Sequence, residues 1–289
     1  MVCFALATVY LLSVRTVRKE SDMKRITSAR CISCIPEVVP KKRSNNKKLK
    51  LLITNKRIDW GFKQSILMIQ SRLQQIMRRT GDKVLLITST IPAEGKTMTS
   101  VNMALAFAQE GMKVALLDGD LRKPSVSELM KLPEGPGLTE YFRGESTPEE
   151  IQVVKDGVTF FRAGQKKGKV SGLIDEEKMN SLLEKLRKEY DVILMDAAPS
   201  YVFSDAMILS SYADKVLYVV RVDKADAKEI RVGMNSFEEK EKLIGYVINR
   251  DTGGYISQSG YGYGRYGKYQ KYRKYAELDE ETMNTEDTL

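Results

Sequence analysis

The sequence predicts an α/β fold, a mostly parallel sheet flanked by helices with a disordered C-terminal tail, and two patterns in its 289 residues carry that expectation. Short runs of β-branched and other apolar residues alternate with longer amphipathic segments, as in repeated βα units. After about residue 250 the alternation stops, and tyrosines interleaved with Gly, Arg and Lys replace it. No aliphatic periodicity supports burial there, which is why disorder is expected.

Each element has a local reason. Phe62, Ile66, Ile69, Leu73 and Ile76 recur at helical spacing, so about 62–79 forms an amphipathic helix. A strand begins at Val84, and a helix over Met98–Gln109 packs through Val101, Leu105 and Ala108. Strands follow at Val114, Val158–Phe161, Val192, Val216–Val220 and Ile244–Ile248, with helices over Asp175–Glu189 and Lys228–Glu241 between them. The chain divides into 1–14, 15–60, an α/β domain over 61–250, and a tail over 251–289. In the tail a tyrosine-rich part precedes the acidic stretch Glu277–Asp287.

Three of the apolar runs end in chemistry. Val84–Thr97 (VLLITSTIPAEGKT) is a strand, a turn closing on Gly95-Lys96-Thr97, and a helix start. That order makes a phosphate cradle: loop amides and the helix N-terminus face the anion, Lys96 reaches the β/γ-phosphates and Thr97 ligates Mg²⁺. Thr90 stands where the strict motif has its first glycine. Val114–Pro124 (VALLDGDLRKP) ends in Asp118 and Asp120, which share a face of an extended strand end. Val192–Pro199 (VILMDAAP) ends in Asp196. Any one of these aspartates also suits a helix cap or turn. Ligands of open α/β sheets sit at the carboxyl ends of parallel strands, and the ordered trio describes a Mg-nucleotide site.

Composition removes other chemistries. The chain has no histidine, which excludes His-based triads, and its three cysteines cannot complete a four-ligand zinc site alone. Cys31 and Cys34 form a single CxxC outside any βαβ context, so reduced thiols are expected. The first sixty residues carry 14 Lys/Arg against 4 acids, which accounts for the whole net charge of +9. Val2–Val14 is uncharged and apolar but shorter than the roughly 20 residues that cross a bilayer. Arg15, Arg18 and Lys19 follow it, whereas a signal peptide places its charge before the apolar run. It is read as the end of a transmembrane helix truncated at its N-terminus, with a buried helix or strand as the alternative. Charge on that side predicts that the rest lies on the cytoplasmic face of the membrane. The basic stretch Lys41, Lys42, Arg43, Lys47, Lys48 and Lys50 suits anionic lipid headgroups better than nucleic acid, and no nucleic-acid partner is expected.

On these residues the chain resembles the bacterial tyrosine kinases of capsule and exopolysaccharide systems over about 60–275. Thr88–Thr97 follows their phosphate loop with Ala93 in place of the usual glycine, and Asp118–Pro124 matches D-x-D-x-R-x-P in full. Asp196 and Pro199 fit D-x-P-P, with Ala198 for the first proline. Residues 15–45 resemble the segment that leaves the second membrane helix of the polysaccharide co-polymerase to which such kinases are often fused. The resemblance implies a P-loop NTPase fold of the MinD/ParA-like (SIMIBI) type, with ATP and Mg²⁺ as cofactors. Pro92, Ala93, Glu94, Gly95, Lys96, Thr97 and Met98 would form the cradle. Asp118 would accept or orient the tyrosine proton, and Thr97, Asp118, Asp120 and Asp196 form the expected metal set. Arg122 would steady phosphates or the acceptor loop. Asn249 would read adenine, or serve as a turn residue.

Tyr255, Tyr261, Tyr263, Tyr266, Tyr269, Tyr272 and Tyr275 are the expected phosphoacceptors, used in trans by a neighbouring subunit. Implied partners are a second copy of the chain, a membrane co-polymerase or activator, and an opposing phosphotyrosine phosphatase. Two departures bear on assembly. The E-x-x-R-x-x-R of the family's ring contact is Gln64, Leu67 and Gln70 here, and N-P-x-E-L-L has no counterpart near Val170–Ile174. The usual ring is therefore expected to be absent or built through other contacts. A partition- or septum-type ATPase carries a second lysine early in the loop, where this chain has Ile91. A nucleotide-binding adaptor with little activity is the other alternative, and Ala93 and Ala198 favour it.

Overall fold

Eight strands order themselves β1-β8-β7-β2-β6-β3-β5-β4 in the computed structural model. It describes residues 16–38, 51–165, 172–238 and 241–251. The strands are β1 (Cys31–Pro36), β2 (Val84–Ser89), β3 (Val114–Asp118), β4 (Gln152–Lys155), β5 (Val158–Phe161), β6 (Val192–Asp196), β7 (Lys215–Arg221) and β8 (Leu243–Asp251). All pairings are parallel except β4 with β5. The central strands β2, β3 and β6 are buried along their whole length, as expected of a parallel sheet covered on both faces.

The helices are α1 (Glu20–Met23), α2 (Trp60–Thr80), α3 (Lys96–Gln109), α4 (Val126–Met130), α5 (Leu138–Arg143), α6 (Glu176–Glu189), α7 (Asp205–Tyr212) and α8 (Ala227–Glu238). At the start of α2 the Asp59 carboxylate accepts from the amides of Gly61 and Phe62, and Gly81 ends the helix at φ 74°. Phe62, Ile66, Ile69 and Leu73 are fully buried against a cluster that includes Leu85, Ile87, Leu105 and Phe107. Fully burying side chains of this size is worth about 1.5–3 kcal/mol each.

The strands and long helices expected from the sequence are present, with two shifts at helix ends. Helix α3 begins at Lys96 rather than Met98, because Gly95 adopts φ 99° and starts the helix directly at the loop. Helix α8 ends at Glu238. Four short helices and two strands were not read from the sequence. One of those strands corrects the reading of 15–60 as linker alone. Residues 31–36 form the edge strand β1, parallel to β8, because Ile32 and Ile35 enter the core. Pro36 is tolerated as the last residue of that edge strand.

One compact unit extends to Asp251. Among the described residues no helix is long and apolar enough to cross a membrane. Val2–Val14, the basic run Lys41–Lys50, Val170-Ser171 and the tail with all seven candidate tyrosines lie outside the described residues.

Candidate functional site

The loop between β2 and α3 is shaped by two unusual backbone positions. Ala93 sits at φ 68°, a left-handed conformation that costs a residue with a Cβ about 1–2 kcal/mol. This is the position where relatives in the resemblance carry glycine. Gly95 sits at φ 99°, and a Cβ there would fall 2.1 Å from Asn249 Nδ2, so the close approach as well as the dihedral requires glycine. The loop is pinned from inside. The Glu94 carboxylate accepts from the Ile91 amide at 2.8 Å and from the Arg221 amide of β7 at 3.2 Å. Burial raises its pKa from 4.5 to about 7 against the effect of those bonds. Asn249, at the end of β8, donates through Nδ2 to the Glu94 carbonyl at 2.7 Å, and Arg221 donates to the Ala93 carbonyl at 3.0 Å.

Strand pairing delivers the carboxylates to the same place. Asp118 and Asp196 are register partners at the ends of β3 and β6, and the Gly119 amide donates to the Asp196 carbonyl at 2.8 Å. Lys96 Nζ lies 2.8 Å from Asp120 Oδ2 and 3.3 Å from Asp196 Oδ2. The Thr97 hydroxyl donates to Asp196 Oδ2 at 2.6 Å, and the Ser100 hydroxyl donates to Asp196 Oδ1 at 3.0 Å. Asp120 Oδ1 caps the turn by accepting from the Lys123 amide at 3.0 Å. Asp118 Oδ2 accepts from the Val126 amide at the start of α4, while its Oδ1 is buried with no partner.

Three buried carboxylates therefore share one ammonium. Burial first, then the Asp196 charge, pushes the Asp118 carboxyl well above its ordinary range, and burial also raises Asp196. Lys96 is raised because the attraction of Asp196 and Asp120 outweighs the burial that opposes its charge. An acidic cluster with an orphaned oxygen suits a divalent cation. Among the described residues no three Cys, Asp or Glu side chains form a ready metal cage. Mg²⁺ generally binds through one or two carboxylates and completes its shell with water and phosphate oxygens.

Of the sequence-predicted residues, Lys96, Thr97, Asp120 and Asp196 converge within direct bonding reach, with Asp118 adjacent to Asp196. Pro92 through Met98 form the loop and the first turn of α3, and Asn249 braces the loop from β8. Arg122 is placed differently. Its guanidinium pairs with both carboxylate oxygens of Asp205 and lies 4.5 Å above the Phe203 ring, which also raises its pKa. Asp205 and Ser100 were not singled out from the sequence. Ser100 stands one helical turn after Lys96, a spacing that signals a shared face. Asp205 belongs to no motif, and no sequence signal points to it. Gln70 is buried and donates to Gln74 Oε1 at 3.1 Å, so this ring-register position is turned into the packing of α2.

This loop-and-aspartate geometry is that of a P-loop NTPase, and the comparisons agree. The family model described as ParA: NUBPL iron-transfer P-loop NTPase matches residues 81–226, half of the chain. The chain is 34% identical over 184 residues to tyrosine-protein kinase CpsD of Streptococcus pneumoniae, covering 59% of this chain and 78% of that one. It is 27% identical over 198 residues to tyrosine-protein kinase ptk of Acinetobacter johnsonii, covering 66% of this chain and 27% of that one. It therefore spans only about a quarter of that longer relative. The kinase domain of Escherichia coli tyrosine kinase ETK superposes with a TM-score of 0.73 at 24% identity, covering 86% of this chain and 99% of that domain, which speaks for the fold. The chain belongs to the bacterial tyrosine-kinase family, a branch of the ParA-type P-loop NTPases.

Proposed function

We propose that this protein is an ATP-dependent protein-tyrosine kinase that phosphorylates its own C-terminal tyrosine cluster in trans and regulates capsular or exopolysaccharide synthesis and export. The observation that carries the reading is the gathering of Lys96, Thr97, Asp120 and Asp196 within 3.3 Å contacts beside the unpaired Asp118 oxygen. Similarity to kinases named for the capsule region supports the biological setting.

The residues divide the work. The amides around Glu94–Thr97 and the N-terminus of α3 would cradle the phosphates of ATP, and Lys96, now paired with Asp120 and Asp196, would reach the β/γ-phosphate oxygens. Thr97, Asp120 and Asp196, with Asp118 beside them, would hold Mg²⁺, which would supply charge neutralisation on the phosphate oxygens. A tyrosine hydroxyl with an ordinary pKa of about 10 is a poor nucleophile at neutral pH. Asp118 accepts or orients its proton, a role suited to a buried carboxyl of raised pKa. Asn249, which donates to the Glu94 carbonyl of the loop, would read adenine. Arg122 steadies the acceptor loop only after exchanging Asp205, so its contribution is smaller than that of Lys96.

The acceptors are Tyr255, Tyr261, Tyr263, Tyr266, Tyr269, Tyr272 and Tyr275. Each phosphate adds about −1.5 to −2 charge at neutral pH, and several reverse the sign of the cationic 265–274 stretch. That reversal controls association between subunits or contact with a membrane co-polymerase. The basic N-terminal region places the domain against the cytoplasmic face of the membrane, and a phosphotyrosine phosphatase resets the tail. With Gln64, Leu67 and Gln70 in place of charges, the unphosphorylated protein either does not form the usual ring or forms it through other contacts, and light scattering that finds a stable octamer of unphosphorylated protein overturns this point.

The test is autophosphorylation of the full chain with Mg²⁺ and ATP, with and without a membrane-activator fragment. Phosphate on tyrosines 255–275 is expected in the wild type and none in Lys96→Met. ATP hydrolysis with no phosphotyrosine would support a partition-type ATPase instead.

A further inference from the structure

The pair Cys31 and Cys34 is a cluster that the phosphate end of the sheet does not use. On a regular strand, residues three apart face opposite sides, and CxxC spacing brings no thiols together. Strand β1 is not regular. Cys31 pairs with Tyr246, yet Ser33 pairs with the next residue, Val247, so Ile32 is the extra residue of a bulge. From Ser33 the register runs on, with Cys34 opposite Ile248.

The bulge resets the alternation of side chains. Ile32 and Ile35 both join the core cluster beneath α2, and Ser33 Oγ lies 3.9 Å from Met68 Sδ on that helix. Cys31 and Cys34 are left together on the other face, opposite Tyr246 and Ile248. Both are free and half-buried. Cys31 Sγ donates to the Ser33 carbonyl at 3.7 Å, and the neighbouring Cys31 thiol, burial and the Asp251 and Glu20 carboxylates hold Cys34 well above the ordinary thiol range. Their partners on β8 are two residues apart, which at about 3.3 Å per residue places the two Cα atoms roughly 6.6 Å from each other. That lies within the upper part of the span a disulfide bridges.

We propose that Cys31 and Cys34 are a redox-active dithiol, a modification site that closes to an intrastrand disulfide under hydroperoxides and reopens under thiol reductants. The Cys31 thiolate attacks a peroxide oxygen: an S–O bond forms, the O–O bond breaks, and the departing oxygen leaves as water or alcohol after taking a proton. Cys34 then attacks the sulfenic sulfur: the S–S bond forms, the S–O bond breaks, and the hydroxide leaves as water with the Cys34 proton. Two electrons pass from the two sulfurs to the peroxide. Cys34, whose thiol is held up by its surroundings, takes the part of the resolving thiol. Closure fixes the bulge in the strand lying against β8, whose Asn249 donates to the phosphate loop.

The test uses the full chain carrying Cys3→Ser, treated with hydrogen peroxide and then labelled with a maleimide. Two labels per chain are expected before treatment and none after, with a mass loss of two hydrogens on the peptide containing both cysteines and full recovery by dithiothreitol. Moving one thiol across the strand, with Cys31→Ser and Ser33→Cys together, is expected to abolish bridging, because position 33 faces α2. Retention of both labels at peroxide levels that oxidise free dithiothreitol overturns the proposal. So does a product consisting only of intermolecular disulfides or sulfonic acids, or equal bridging in the relocated variant.

Discussion

The two ends of the central strands treat an aspartate in opposite ways, half-buried Asp214 at one and buried Asp118 at the other. At the N-terminal end Asp214 accepts from the amides of Lys83 and Val84, both at 2.8 Å, and from two guanidinium nitrogens of Arg187 at 2.9 and 2.6 Å. Its carboxyl stays below the ordinary range although burial pushes it up. At the C-terminal end Asp118 has one amide donor, an orphaned oxygen and a second carboxylate as its neighbour, and its carboxyl is driven up. One end is finished by the chain itself. The other is left short of positive charge, which is what a site completed by a cation and a polyanion requires.

Lys96→Met attacks the second end at the ammonium that pairs with Asp120 and Asp196. Phosphotyrosine formation is expected to fall by about 10³-fold, and the loss of the ammonium paired with two buried carboxylates destabilises the fold by about 3 kcal/mol. Autophosphorylation and urea midpoints at neutral pH check both. A fall in stability with activity intact would place the lysine in a merely structural role.

The pH dependence separates the ends by sign. Glu94 has a folded pKa of about 7 against 4.5 ordinarily, so the folded state holds a proton that the unfolded state has released. Its contribution is therefore lost as pH rises between about 4.5 and 7, by about 3 kcal/mol. The depressed carboxyl of Asp214 works the other way, and its contribution is lost as pH falls. Urea midpoints across this window should show Glu94→Gln removing most of the decline on the loop side. An unchanged profile would mean that Glu94 is ionised in the folded loop.

Asp214→Asn sharpens the contrast: loss of charge-assisted bonds is expected to cost about 2 kcal/mol while kinase activity survives. Asp118→Asn should do the reverse, with little loss of stability and a fall in phosphoryl transfer of about 10²-fold. The smallest effect is expected at Ala93→Gly, which relieves a positive φ and raises stability by about 1 kcal/mol in thermal unfolding, with the loop unchanged.

The contrast also explains what the sequence could show. Strand runs and the aspartates that end them were legible because a parallel sheet buried on both faces needs unbroken apolar runs, and Asp118 and Asp196 interrupt them abruptly. The left-handed backbone at Ala93 had one trace in the sequence, the glycine that the resemblance places at this position. Strand β1 was not, since Pro36 and the surrounding charges resemble linker, and its burial depends on pairing with β8, over 200 residues away in the chain. The Arg122–Asp205 pair was hidden for the same reason: nothing near Arg122 in sequence announces a partner 83 positions on.

The difference between the two ends is tested most directly by nucleotide-dependent stability. Thermal unfolding of the full chain is measured with and without Mg²⁺ and a non-hydrolysable ATP analogue, in the wild type, Lys96→Met and Lys83→Met. Lys83 belongs to the finished end, where it donates to the carbonyls of Arg187 and Tyr190. The account predicts an equal rise of the midpoint in wild type and Lys83→Met, and none in Lys96→Met. A wild type that shows no rise, or a Lys96→Met variant that keeps it, contradicts the account.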